Sequence, residues 1–244
     1  MQSSKTYSPN QSLGIVLQGG AGMGKTTFAL QFPRPYIFDA DNNLAGAFRR
    51  LSEKNITFAY DIGNIDENNA IVPEPLRYTR MTKCITAAFS SPDIDTVILD
   101  SASAVSDYII ADILRQTGKP NLVMQDWGVY LNAWKKLITA CRSQSKTFIL
   151  TAHDKLEKDE MDGSITYELA LPGQISARLS SMMSDVWHFE VQSGTVNNAP
   201  VNQYVVRTQP TSKLKLKSSF PTLPNLFSSA DFTKVTSALA PTGM

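Results

Sequence analysis

The sequence predicts an α/β fold with a mostly parallel central sheet, helices on both faces and β-hairpin extensions in the C-terminal third. Three observations carry that expectation. Short apolar runs alternate with helical patterns through the first two thirds of the chain; the run Leu13 to Leu17 leads straight into a Gly-rich loop that opens a helix; and from Lys155 onward polar alternation broken by turn residues takes over. The chain has 244 residues, of which 42% are hydrophobic, enough for the core of one large domain.

Taken in order, Leu13 to Leu17 reads as a buried strand and Thr27 to Gln31 as the first turns of a helix. Tyr36 to Phe38 is a short apolar strand ending in Asp39-Ala40-Asp41-Asn42-Asn43, followed by a helix from about Leu44 to Glu53 and a strand from about Ile56 to Tyr60. Asp61 to Pro75 is polar and Pro-containing, a surface loop before a helix over Leu76 to Phe89. Thr96 to Leu99 runs directly into Asp100, the pattern of a buried parallel strand that ends in a carboxylate. A helix from about Ser103 to Arg115 is broken by Gln116-Thr117-Gly118-Lys119-Pro120-Asn121. Trp127, Tyr130, Leu131, Trp134, Leu137, Ile138 and Cys141 then recur at helical spacing, which marks them as core. Phe148 to Ala152 is a further apolar strand, closing at His153. Lys155 to Leu171 reads as a hairpin turning at Met161-Asp162-Gly163-Ser164, then a helix over 174 to 183, then strands at Asp185 to Val191 and Gln203 to Thr208.

Net charge is +1 and charged residues make up 18%, so any nucleic-acid contact must come from local Lys and Arg clusters. Cys84 and Cys141 both fall in amphipathic helical patterns, pointing to reduced, buried thiols, and no zinc spacing exists. No apolar stretch approaches the ~20 residues of a membrane span, and the first residues lack a signal-peptide core. The expectation is a soluble, cytoplasmic protein with no membrane partner.

Gly19-Gly20-Ala21-Gly22-Met23-Gly24-Lys25-Thr26 is a complete G-x-x-x-x-G-K-T phosphate-binding loop in the strand–loop–helix context that such a motif needs. Glycines let several backbone N–H groups converge on one anion, and the helix N-terminus adds partial positive charge. Lys25 is the point charge for the β- and γ-phosphates; Thr26 offers a hard oxygen to Mg²⁺, with Thr27 a weaker candidate. Asp100 has the form of a Walker B acid that would hold Mg²⁺ opposite Thr26. Asp41 is the candidate base that orients or deprotonates the attacking water, with Asp39 structural; the alternative for Asp41 is a helix-capping cluster formed by Asp41-Asn42-Asn43. His153, on the strand expected beside that of Asp100, is the candidate sensor of the γ-phosphate, whereas His188 lies inside a strand with no role assigned. Lys213, Lys215 and Lys217 alternate with leucines, placing three ammonium groups on one face of a strand: a protected edge, or a basic face for a phosphate of DNA or of a neighbouring subunit.

Together these motifs resemble the RecA-type recombination ATPases, and more closely the small RecA-like ATPases of bacteriophages, the single-strand-annealing Sak group, over roughly residues 12 to 224. The resemblance rests on the order of Gly19 to Thr26, Ile-Phe-Asp-Ala-Asp at 37 to 41, Val-Ile-Leu-Asp-Ser at 97 to 101, Leu-Thr-Ala-His-Asp-Lys at 150 to 155 and Lys-Leu-Lys at 215 to 217. It implies a flexible tail at 1–11, one ATPase domain at 12–228, and a short helix and tail at 229–244. It implies ATP and Mg²⁺ as cofactors, Asp41 as the water-activating acid, and His153 where RecA has a glutamine. It also implies that Lys215 and Lys217 reach a neighbour's γ-phosphate in a homo-oligomer, ring or filament. Single-stranded DNA and a single-strand-binding or annealing protein are the implied partners, with DNA loops near Gln116 to Met124 and Leu156 to Ala170. Lys119, Lys155 and Lys158 are the cations there, beside an acidic run of Glu157, Asp159, Glu160 and Asp162. Two other readings stay open: an ATP-dependent loader or adaptor switch, and a small-molecule kinase sharing the phosphate loop.

Overall fold

Six parallel strands and two antiparallel ones form a single sheet in the order β10-β9-β8-β1-β5-β4-β2-β3 in a computed structural model that describes residues 13–52, 56–158, 163, 165–196 and 199–239. In chain order the elements are β1 (Gly14–Gly19), α1 (Lys25–Ala29), β2 (Pro35–Asp39), α2 (Ala45–Ser52), β3 (Ala59–Ile62), α3 (Arg77–Ser90), β4 (Thr96–Asp100), α4 (Ala102–Thr117), α5 (Asp126–Arg142) and β5 (Thr147–Ala152). Then come β6 (Asp154–Lys158), β7 (Ile165–Leu169), α6 (Ile175–Met182), β8 (Asp185–Val196), β9 (Ala199–Arg207), β10 (Leu226–Ser228) and α7 (Thr233–Leu239). The expected tail at 1–11 and most of the expected turn at 161–164 fall outside the described residues.

The central strands are apolar throughout because both their faces are covered. Successive side chains point to opposite faces. Val16, Phe38, Leu99, Phe148 and Leu150 face one layer with α3, α4, α5 and α6. Their sequence neighbours Leu17, Ile37, Ile98 and Ile149 face the other, with Phe28, Phe32 and Leu51. Each of these side chains, fully withdrawn from water, stabilises the fold by roughly 1.5–3 kcal/mol. Helix α5 follows the expected stripe: Tyr130, Trp134, Leu137, Ile138 and Cys141 are buried, while Trp127 at its start is partly exposed and covers Gly173. The helix of the last segment shares the core, since Val235 is buried and the Phe232 ring stands 5.2 Å from Phe28 and 5.0 Å from Phe32.

Register is what positions the site. β5 lies between β1 and β4, pairing Leu17 with Thr151 on one side and Leu99 with Leu150 on the other, while Asp39 pairs with Asp100. Gly19, His153, Asp100 and Asp39 therefore stand along one edge, where parallel sheets bind ligands.

Two expectations are corrected. The strand expected from Ile56 begins only at Ala59, because Ile56 and Phe58 are drawn into apolar packing below the sheet edge. The lysine-bearing segment is not a sheet strand. Lys213 to Lys217 is an extended strap touching the strands through single bridges, Leu214 to Tyr167 and Lys217 to Val186. Its alternation survives for a simpler reason: Leu214 and Leu216 are buried, which turns the lysines the other way.

Candidate functional site

The Gly-rich loop is shaped by positive φ at Gly22 (75°) and Gly24 (89°), a region where side chains are strained. Gly19, also at positive φ (149°), answers a second constraint: a Cβ there would lie 2.5 Å from the Phe189 carbonyl oxygen of β8. Lys25 is buried, its Nζ donating to the carbonyls of Gly19 and Gly20 at 2.8 Å each. Burial holds its ammonium below the usual lysine range, with the charges of Asp100, Asp154 and Asp41 pulling the other way.

Asp100 ends β4, which continues through a cis Asp100–Ser101 peptide into α4. Thr26 Oγ1 donates to its Oδ2 at 2.7 Å and Thr151 of β5 donates to its Oδ1. Burial raises this carboxyl above its ordinary range despite both hydroxyl bonds. The Thr26–Asp100 pair suits Mg²⁺ chemically, since the two offer adjacent hard oxygens at the cavity that both line. No group of three or more His, Cys, Asp or Glu side chains among the described residues is placed to hold a metal ion by itself, so phosphate and water oxygens would complete the shell.

Asp39 and Asp41 have separate jobs. Asp39 is buried and accepts from the backbone N–H of Asn43 (3.2 Å) and Leu44 (2.9 Å), fixing the entry to α2. The capping expected of an Asp-Asn-Asn cluster thus falls to Asp39 alone. Asp41 is exposed and lines a cavity of 190 Å³ with residues 21–27, Asp100 and His153. The same cavity receives Asn43 from the turn before α2 and Gly46 and Arg50 from α2, which sequence reasoning missed. The available signal for the helical pair was spacing, as a helix rising from the acid-bearing strand end turns positions 46 and 50 to one side.

Burial moves Asp39 up to about 6, against an ordinary 3.8. A raised carboxyl binds its proton more tightly when folded, so its stabilising effect is complete below about pH 4 and is lost as pH rises through about 6. The expected result is a contribution that weakens by about 2–3 kcal/mol across that window. Urea unfolding of the wild type and Asp39→Asn from pH 4 to 7 checks it: the difference between them should change across the window, and a constant difference would refute it.

Lys215 and Lys217 do not line their own phosphate cavity. Lys215 is largely exposed with Glu168 at 3.7 Å. Lys217 sits near the start of β8, where burial and the nearby Arg142 charge lower its pKa against Asp185. The cations expected at the DNA loops are partly engaged: Lys119 donates to both Asp126 carboxylate oxygens at 3.0 Å, and Lys155 pairs with Glu157 at 3.1 Å.

The sequence profile of the AAA domain family matches residues 11–220. No curated protein matches the chain. Among solved structures, a KaiC-like protein from the hyperthermophilic archaeon Pyrococcus horikoshii OT3 is 16% identical, with 86% of this chain and 84% of that one covered and a TM-score of 0.41. The flagellar accessory protein FlaH from Methanocaldococcus jannaschii is 13% identical, with 81% and 77% covered and a TM-score of 0.40.

Proposed function

The chain belongs to the AAA domain family, and from that premise we propose that it is a Mg²⁺-dependent ATPase whose site is the cavity above Lys25. The observation that carries this reading is convergence: a buried ammonium, a threonine hydroxyl bonded to a buried acid, and a free carboxylate meet at one strand edge. Backbone N–H groups of residues 21–27 bind the phosphates, with Lys25 neutralising the β- and γ-oxygens. Mg²⁺, when bound, offsets charge on the same oxygens. Asp41 orients water toward the γ-phosphate, and His153 contacts that phosphate from just beyond the end of β5.

The finer reading extends to an oligomer acting on single-stranded DNA, as in phage recombination, annealing or replication. It draws support from Lys215 and Lys217 lying outside their own cavity: a phosphate within their reach belongs to another subunit. The Lys215→Ala/Lys217→Ala double variant should bind ATP like the wild type and lose turnover about 10²-fold or more. Turnover measured against chain concentration, with and without single-stranded DNA, tests this. Retained turnover removes the trans-lysine role, and indifference to DNA removes the DNA role. A second reading, an ATP-dependent loader or adaptor, is favoured by one observation: Lys119 and Lys155 are already paired with carboxylates. Nucleotide-dependent retention of an annealing protein without DNA would select it.

A further inference from the structure

Arginines in this chain mostly hold the fold together. Arg34 donates to Asp95 at 2.6 Å, Arg80 to Asp61 at 3.0 Å, Arg115 to Asp112 at 2.7 Å and Arg207 to Glu190 at 2.7 Å. Arg50, in the last turn of α2, is exposed and takes no side-chain partner among the described residues, yet it lines the phosphate cavity. Asp41 lines the same cavity, and the two opposite charges face its space without pairing across it.

The helix aims this side chain. Every Cα–Cβ bond of an α-helix tilts toward the N-terminus, so Arg50 leans back over position 46, one turn earlier on the same face. That position is Gly46, itself at the cavity, and a Cβ there would meet nothing within 4 Å. Glycine inside a helix costs about 0.5–1 kcal/mol relative to alanine, and here it keeps clear the path that a side chain would block.

Position along the helix selects the phosphate. In the proposed reaction the γ-phosphate sits at the strand edge, by Asp41 and His153, and Lys25 serves the β- and γ-oxygens. Helix α2 leaves that edge, because it returns the chain to the start of β3, which runs parallel to β2. From Ala45 to Arg50 its axis rises about 7.5 Å. Arg50 thus enters the cavity from the end remote from Asp41, the end left to the α-phosphate. Charge favours a cation there: Lys25 alone faces Asp41 and Asp100, and a second positive side chain balances the pair in front of an anionic ligand.

We propose that Arg50 binds the α-phosphate of the nucleotide in cis, its forked N–H groups reaching over Gly46 to the non-bridging oxygens. The proposal rests on the nucleotide-binding reading. It gives the site a second cation from its own chain, independent of any neighbour's lysines.

Equilibrium binding to the full chain in Mg²⁺ tests it, with ADP, a non-hydrolysable ATP analogue, and the two diastereomers of ATP that carry sulfur on the α-phosphate. Arg50→Ala should weaken ADP and the analogue alike, each about tenfold, because both carry that phosphate. Arg49→Ala, at an exposed neighbour outside the cavity, should leave both Kd values within about twofold. The ratio of Kd values between the diastereomers should shift by about threefold or more in Arg50→Ala, since sulfur in place of one oxygen weakens one arm of the fork. Gly46→Leu, a good helix former that fills the path, should weaken both nucleotides with Arg50 intact. Wild-type affinity for ADP in Arg50→Ala or in Gly46→Leu, a loss confined to the ATP analogue, or an unchanged diastereomer ratio overturns the proposal. Failure of the wild type to bind either nucleotide overturns the nucleotide-binding reading itself.

Discussion

Replacing Lys25 with alanine is expected to lower ATP turnover by about 10³-fold and to weaken nucleotide binding. Its ammonium is the cation that the loop itself encloses, held by two carbonyls and buried among its neighbours. A preorganised positive charge in such a water-poor place is worth several kcal/mol to developing negative charge. Lys25→Arg should rescue little, because a planar fork does not occupy the space of a compact ammonium. Single-turnover phosphate release, alongside equilibrium binding of an ATP analogue, gives both numbers. Residual turnover within about tenfold of wild type would show that the chemistry is elsewhere.

Gly19→Ala should be strongly destabilising, costing about 3 kcal/mol or more. The added Cβ would stand 2.5 Å from the Phe189 carbonyl oxygen, a backbone atom of a paired strand that cannot step aside. Gly22→Ala offers the contrast, because a Cβ there meets nothing within 4 Å and only the positive φ of 75° resists it. The expected outcome is a Gly22→Ala chain that loses about 1 kcal/mol and a Gly19→Ala chain that loses several times as much. Thermal or urea unfolding of the pair decides it, and equal losses would mean that β1 and β8 separate easily at their ends.

The phosphate loop, the β4 strand ending at Asp100 and the α5 stripe were legible because each signal is local: glycine spacing, an apolar run closed by an acid, or a helical period. Asp41, Asp100 and His153 were placed on one edge by the rule that parallel sheets bind at their carboxyl ends, and the cavity gathers them. What sequence did not reveal depends on pairing across distance. Asp154 and His188 meet because β8 joins β1, and nothing in the alternation around His188 announces a buried partner. The lysine strap misled for a related reason, since alternation reports that Leu214 and Leu216 are buried but not what they are buried against. Asn43 and Arg50 were passed over because exposed polar residues in a turn or on a short helix look alike whether they face solvent or a site.

The insertion of β5 between β1 and β4 also governs how the molecule comes into being. Gly14 must find Phe148, and Ile15 must find Asp185, before the loop has walls on either side. Pairings so distant along the chain are slow to form and are made late. A growing chain that has emerged only through β4 therefore carries every residue of the phosphate loop together with Asp100 but not the strand that separates them. Nucleotide affinity should appear abruptly once β5 and β8 are in place, which makes nucleotide retention a measure of completed folding and gives the ligand leverage over global unfolding.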